Sequence, residues 1–325
     1  MRLEGIHHIS AITGDAPGNV AFYTGVLGMR MVKRTVNQDE PNVYHLFYGD
    51  EHGSPGMDLT FFEYPGAAPG INGAGMVHRI VWRVGSAGAL EFWRERLAGH
   101  GVEAELTAHS LLFADPEGLE HELLVSASGD APLGAWCPEI PTEHGLLGFE
   151  GVRAYSNEPL RSRRLLSETL GFTSREGSSW EVRGEERGSI YAYDAAPPEI
   201  NRRQGAGSIH HVAFAARMED IEAWRERIAE SGARPTPVVE RFYFKSIYFL
   251  EPSGVLFEIA TIGPGFAIDE DEAHLGERLS LPPPFEPLRE QLEQRLTPLP
   301  YPPPWRTPGD QAGAELRERS SSASI

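Results

Sequence analysis

The chain has 325 residues, 40% of them apolar and 10% aromatic, enough for two medium domains or several small modules with a substantial core. Its 29 basic residues against 47 acidic ones give a net charge of -18, which repels nucleic acid and anionic membrane and leaves neither as an expected partner. A single cysteine, Cys137, excludes an intramolecular disulfide and a thiolate zinc cluster, and no apolar run approaches bilayer length, so the expectation is a cytoplasmic protein.

In chain order, a strand is expected over Ile6–Thr13, and its segment Gly5-Ile6-His7-His8-Ile9-Ser10 carries adjacent histidines. A helix follows over about 17–27, then strands near Arg30–Val36, 44–48 and 57–62. The Gly-rich stretch 66–75 lacks phosphate-loop and Rossmann spacing and reads as a connection between modules. Leu90-Glu91-Phe92-Trp93-Arg94-Glu95-Arg96-Leu97 then closely matches Ile221-Glu222-Ala223-Trp224-Arg225-Glu226-Arg227-Ile228, each an amphipathic helix pattern followed by a glycine, Gly101 or Gly232. Downstream of each, two strands flank a Pro/Gly turn, Asp115-Pro116-Glu117-Gly118 or Glu251-Pro252-Ser253-Gly254. A third copy places strands at 151–155, 179–182 and 190–192 around a helix at 159–170.

The order strand, helix, three strands therefore occurs four times, at 4–65, 76–127, 147–195 and 207–262. By chain order these fall into an N-terminal pair, 1–135, and a C-terminal pair, 136–264, followed by an extension, 265–325. In the extension, Asp269-Glu270-Asp271-Glu272 reads as a solvated acidic run, because it lacks the glycine and terminal glutamate of a calcium loop. Pro282-Pro283-Pro284 precedes a helix at 286–296, a second proline-rich stretch covers 298–304, and the Ser-rich tail 313–325 is expected to fray.

The repeats act as an internal control on candidate ligands. Modules one and four keep a double histidine, His7-His8 and His210-His211, in matching strands. Module two offers Arg79 or Ile80 opposite His211, depending on register, and module three has no histidine there. The carboxylate Glu258, four residues after a turn glycine, corresponds to Glu122 in module two and to Thr60 in module one. One complete set emerges, His8, His211 and Glu258, if modules one and four share one sheet and modules two and three the other. Strand alternation favours the second histidine of each pair, since His211 shares its face with the small Ala213 and Ala215, although a distorted strand could bring the first close. Two imidazoles and one carboxylate suit Fe(II) or Mn(II) with open positions for substrate and oxygen; Zn(II) and Ni(II) are the alternatives.

Four βαβββ modules resemble the vicinal oxygen chelate superfamily of glyoxalases and extradiol dioxygenases. That resemblance implies an α+β fold in which the modules pair into two cup-shaped mixed sheets. Around the double histidines, Tyr44-His45-Leu46-Phe47-Tyr48, Arg241-Phe242-Tyr243-Phe244-Lys245-Ser246-Ile247-Tyr248 and Gly254-Val255-Leu256-Phe257-Glu258, the chain is similar to hydroquinone-type ring-cleavage dioxygenases. The resemblance implies Fe(II) on His8, His211 and Glu258, with His7, His210 and Tyr248 as catalytic groups and Ser10 and Arg241 beside the substrate. A structural tyrosine and a surface salt bridge are the bland readings of Tyr248 and Arg241. The expected partners are a small aromatic diol and O₂, and a homo-oligomer fits the module edges. A non-oxidative glyoxalase, isomerase or lyase on the same fold, or a binder of small aromatics, are the competing functions.

Overall fold

The computed structural model describes residues 1–198 and 201–299. Module one supplies β1 (Ile6–Thr13), β2 (Arg30–Val36), β3 (Tyr44–Gly49) and β4 (Asp58–Glu63). Its helix α1 (Ala16–Val20) starts where the Asp15 side chain accepts the Gly18 N–H, and it widens into a π-helical turn over Ala21–Val26. Module two contributes β5 (Val77–Val84), α2 (Ala87–Gly99), β6 (Ala104–Leu106), β7 (Ser110–Ala114) and β8 (Glu120–Val125). Module three contributes β9 (Phe149–Ser156), β10 (Thr173–Ser174), β11 (Ser179–Arg183) and β12 (Gly188–Ala195). Module four contributes β13 (Ile209–Ala216), α3 (Ile221–Glu230), β14 (Val239–Glu240), β15 (Lys245–Leu250) and β16 (Leu256–Thr261), after which α4 (Arg289–Arg295) lies in the extension.

The helix expected at 159–170 is broken into a 3-10 turn, Pro159–Ser162, and a π-helical turn, Leu165–Thr169. Ser162 is fully buried with its hydroxyl given to Glu251, and Leu165 and Leu166 are buried beside it, so tertiary contacts set the winding over local propensity.

Two eight-stranded mixed sheets result, in the orders β14-β15-β16-β13-β1-β4-β3-β2 and β10-β11-β12-β9-β5-β8-β7-β6. Modules one and four thus share one sheet and modules two and three the other, joined through antiparallel pairs of their first strands, β1 with β13 and β5 with β9. Hydrogen bonding runs across the chain-order boundary at 135, each sheet taking one module from either side of it. Trp93 on α2 and Trp224 on α3 are both buried, which explains the matched tryptophan in the two amphipathic helices.

The central strand pair is not regular. Ile6 pairs with Phe214 and His8 with Ala213, so His7 is an extra residue; Ser10 pairs with His211 and Ala11 with Ile209, so His210 is another. Each is a β-bulge, which suspends strand alternation and turns two successive side chains toward one region. The second sheet repeats the device at His78 and Glu150. Its register resolves the open alignment: Val81 pairs with Glu122 as Ala213 pairs with Glu258, which places Arg79 opposite His211.

The extension straps back across the first sheet, with a bridge between Arg34 and Leu279. Here the acidic run departs from a solvated one. Lys33, fully buried, donates to the Phe266 carbonyl at 3.0 Å and Asp269 Oδ1 at 2.8 Å and pairs with the buried Glu270. A buried ammonium demands such partners, and a sequence cannot show that one exists until β2 is folded against the strap. The proline-rich stretch beyond 299 and the tail at 313–325 lie outside the described residues.

Candidate metal centre

The site is assembled at the middle of the first sheet, where β1, β13 and β16 are neighbours. His8 Nε2 lies 3.2 Å from His211 Nε2 and 3.3 Å from Glu258 Oε2, and His211 Nε2 lies 2.9 Å from the same oxygen. All three side chains are buried, and Glu258 Oε2 has no hydrogen-bond donor. Among the described residues this is the one cluster of three such side chains able to hold a metal ion. The donor set passes a simple test of fit. Ligand bonds of about 2.1 Å put neighbouring donors ~3.0 Å apart at right angles and ~3.4 Å apart in a tetrahedron. The three observed edges, 2.9 to 3.3 Å, fall within the range those two geometries span, and three protein donors on one side leave the other side of the centre open.

Burial would push the Glu258 carboxyl up, but the imidazoles of His8 and His211 outweigh burial and hold it well below the usual carboxylate range. Burial lowers His211, against the pull of Glu258, and so keeps its ring a neutral donor. Ser246 donates its hydroxyl to Glu258 Oε1, which leaves Oε2 to face the histidines.

His7 and His210 stand behind the ligand rings. His7 Nδ1 is 3.0 Å from His8 Nδ1, and His210 Nδ1 is 2.8 Å from His211 Nδ1. Burial, with the adjacent ligand ring second, lowers His7 to about 3 and His210 to about 4. Neither lines the cleft in front of the centre.

That cleft is walled by the aromatic rings of Phe47, Phe62, Phe244, Tyr243 and Tyr248, with polar residues 37–39 and Arg241 at its mouth. Tyr248 sits on β15 directly across from Glu258, its ring 5.8 Å from that of His211, and its hydroxyl accepts from Arg241 Nε at 3.2 Å. Phe266 of the strap packs 5.0 Å from Phe47 and 5.5 Å from Tyr243, backing the cleft wall from outside.

A family model for the glyoxalase/bleomycin resistance protein/dioxygenase superfamily matches residues 5–123 and 147–259. The chain belongs to this superfamily. MhqA of Bacillus subtilis (strain 168), named as a ring-cleaving dioxygenase, is 39% identical over 320 residues, covering 92% of this chain and 100% of its own length. A chlorohydroquinone/hydroquinone 1,2-dioxygenase of Sphingobium indicum is 31% identical over 309 residues, 90% of this chain and 95% of its own. The crystal structure of a protein named as a dioxygenase from Bacillus subtilis subsp. subtilis str. 168 superposes with a TM-score of 0.85 at 38% identity, covering 92% of this chain and 98% of that one. The four modules paired into two curled mixed sheets are the glyoxalase-type architecture expected from the repeats.

Within this superfamily fold the site has a pseudo-twofold relation that brings in His45, to which the sequence reading gave no role. Ser10 pairs with Thr60 as Ala213 pairs with Glu258, so Thr60 holds the position of a second carboxylate. Its Oγ1 instead meets Ser10 Oγ at 2.7 Å and His45 Nε2 at 3.0 Å. Ser10, expected beside the substrate, is fully buried and bonds Thr60 rather than lining the cleft. His45 does line it, and its other ring nitrogen, Nδ1, has no hydrogen-bond partner among the described residues. Burial, then the nearby His8 and His211, lower His45 well below the usual histidine value, leaving it a neutral base. Alternation along Tyr44-His45-Leu46-Phe47 was the available signal, since it puts His45 and Phe47 on one face. Asp39 had none: it belongs to a hairpin tip whose partner, Arg241, lies in another module.

Proposed function

We propose that the protein is an Fe(II)-dependent dioxygenase that opens a hydroquinone- or catechol-type ring, with iron held by His8, His211 and Glu258. The observation that carries this reading is an open-sided two-histidine, one-carboxylate cluster at the floor of a cleft walled by aromatic rings. Relatives named as ring-cleaving dioxygenases, covered over nearly their whole length, support it. So does Thr60, because a hydroxyl turned to His45 and Ser10 in place of a fourth ligand leaves more positions open than a closed Lewis-acid site would.

When bound, ferrous iron supplies the electron relay that a spin-paired ring and triplet O₂ need in order to react. The chain's own residues supply the remaining parts. With Nε2 of both ligand rings directed to the metal position, their protons sit on Nδ1, and His7 and His210 accept them, fixing ring orientation. In this reading they are positioning residues rather than groups that touch the substrate. His45 Nδ1, unprotonated, accepts a hydrogen bond from the substrate hydroxyl, and Thr60 and Ser10 hold its ring in place. Burial first, then Glu258, raises the Tyr248 hydroxyl above its usual range, so it stays protonated and able to donate to a substrate oxygen. The aromatic walls hold a flat ring and exclude water. Both atoms of O₂ enter the opened product, so no external reductant is needed.

The test is oxygen uptake by anaerobically purified, Fe(II)-loaded protein given hydroquinone, methylhydroquinone, chlorohydroquinone or catechol. Uptake matched by a product heavier by two oxygen atoms supports the reading. No uptake with any ring, with iron retained at the triad, favours a non-oxidative metal-dependent reaction.

A further inference from the structure

The walls of the cleft are aromatic, but its mouth carries a matched pair of charges. Arg241 is the one lysine or arginine among the cleft-lining residues. Its Nη1 donates to Asp39 Oδ1 at 2.9 Å, its Nη2 donates to Asp39 Oδ2 at 2.8 Å, and its Nε is taken by the Tyr248 hydroxyl. The fork that would grip a carboxylate on a substrate is already occupied by a carboxylate of the protein.

Asp39 is held in place by the loop that carries it. Its backbone N–H donates to Asn37 Oδ1 at 2.9 Å, and Glu40 N–H and Val43 N–H close the turn on the Asn37 and Glu40 carbonyls. Gln38 Nε2 donates to the Arg241 carbonyl at 2.6 Å, fastening the β2–β3 hairpin tip to module four across the mouth of the cleft. The loop is shaped to present one acid to one arginine.

We propose that Asp39 is a specificity-determining residue: by occupying Arg241 it restricts the cleft to aromatic diols with uncharged ring substituents and turns away rings that bear a carboxylate. This rests on the ring-cleavage reading above. An entering carboxylated ring meets the like charge of Asp39 and must desolvate against aromatic walls without a free cation. A methyl or chloro substituent meets neither penalty and gains from the phenylalanine rings. The Asp39 side chain is 72% exposed, so solvent screens its charge, and the selectivity comes from occupied donors more than from field strength.

The experiment compares the unaltered chain with Asp39→Asn and Asp39→Ala, using 2,5-dihydroxybenzoate and methylhydroquinone as probes. Two quantities are read: kcat/KM in air with Fe(II)-loaded protein, and affinity by calorimetry under strict anaerobiosis, where no turnover occurs. Freeing Arg241 raises the preference for the carboxylated ring over the neutral one by about tenfold or more in both readouts. Adding Arg241→Gln to Asp39→Asn abolishes that gain. An unchanged ratio in both Asp39 variants overturns the proposal, as does equal affinity of the unaltered chain for the two probes. A shifted affinity ratio without oxygen uptake on any ring removes the ring-cleavage reading and leaves the role of Asp39 standing.

Discussion

His8, His211 and Glu258 depend on one another, because their buried Nε2, Nε2 and Oε2 atoms converge within 3.3 Å on one point. His8→Ala, His211→Ala or Glu258→Ala should each abolish stoichiometric iron binding, read by metal analysis after desalting; full iron content in any one of them would remove that residue from the ligand set. His45 makes the opposite prediction. It touches the cleft but not the three ligand atoms, so His45→Ala should keep the iron while kcat/KM falls about 10- to 10²-fold, the range for one lost hydrogen bond to the substrate. Iron loss in parallel with activity would show that His45 serves the metal instead. The three converging side chains were legible in the sequence because a repeat supplied the control, matching His8 to His211 and setting Glu258 against Thr60. His45 was not legible as a functional group, because its role depends on Thr60 and Ser10 from two other strands.

At the scale of elements, the bulges at His7 and His210 decide how the site is built. Strand alternation alone sends the first histidine of each pair to the far face, and one extra residue per strand brings it beside its neighbour instead. A bulge leaves no mark in a single sequence, since His7-His8 reads the same in a regular strand. The strap shows a second dependence. Removing the ammonium of Lys33 leaves the buried Glu270 with only the exposed Arg278, 3.8 Å away, as counter-charge, so Lys33→Met should lower unfolding free energy by about 3 kcal/mol in urea titrations. Because Phe266 backs Phe47 and Tyr243, the same change should also raise KM for the aromatic substrate. An unaltered urea midpoint would mean that the buried pair contributes nothing net.

At the scale of the whole molecule, the two sheets are tied together by acids at the hairpin turns. Asp115 accepts from Glu117 N–H and Leu119 N–H in its own turn and from the Tyr23 hydroxyl of module one, which also meets His121. Glu251 does the same in module four, accepting from Tyr193 of module three. Burial raises Asp115 from 3.8 to about 6 despite those hydrogen bonds. The folded state thus holds its proton more tightly than the unfolded one. The contribution to stability is present in full below about pH 4 and is lost as pH rises through about 6, a change of ~3 kcal/mol for two pKa units. Melting temperature followed from pH 4 to 7 should show this loss in the unaltered chain and a flatter profile in Asp115→Asn. Parallel profiles would assign the pH dependence to other groups. The 18 net negative charges bear on solubility, and no helix among the described residues is long and apolar enough to cross a membrane.

By itself, the sequence determined the fourfold repeat, the pairing of module one with module four, and the three residues that converge on one point. Apolar periodicity and turn residues are local properties, and a repeated motif carries its own alignment. Only the tertiary structure decided that Arg79 stands where His211 does in the other sheet, that His7 and His210 back the ligands, that Lys33 anchors the strap, and that Asp39 occupies Arg241. Each of these rests on a contact between segments far apart in the chain, where register, a bulge or a buried charge sets which atoms meet, and none of these is encoded in spacing along one strand.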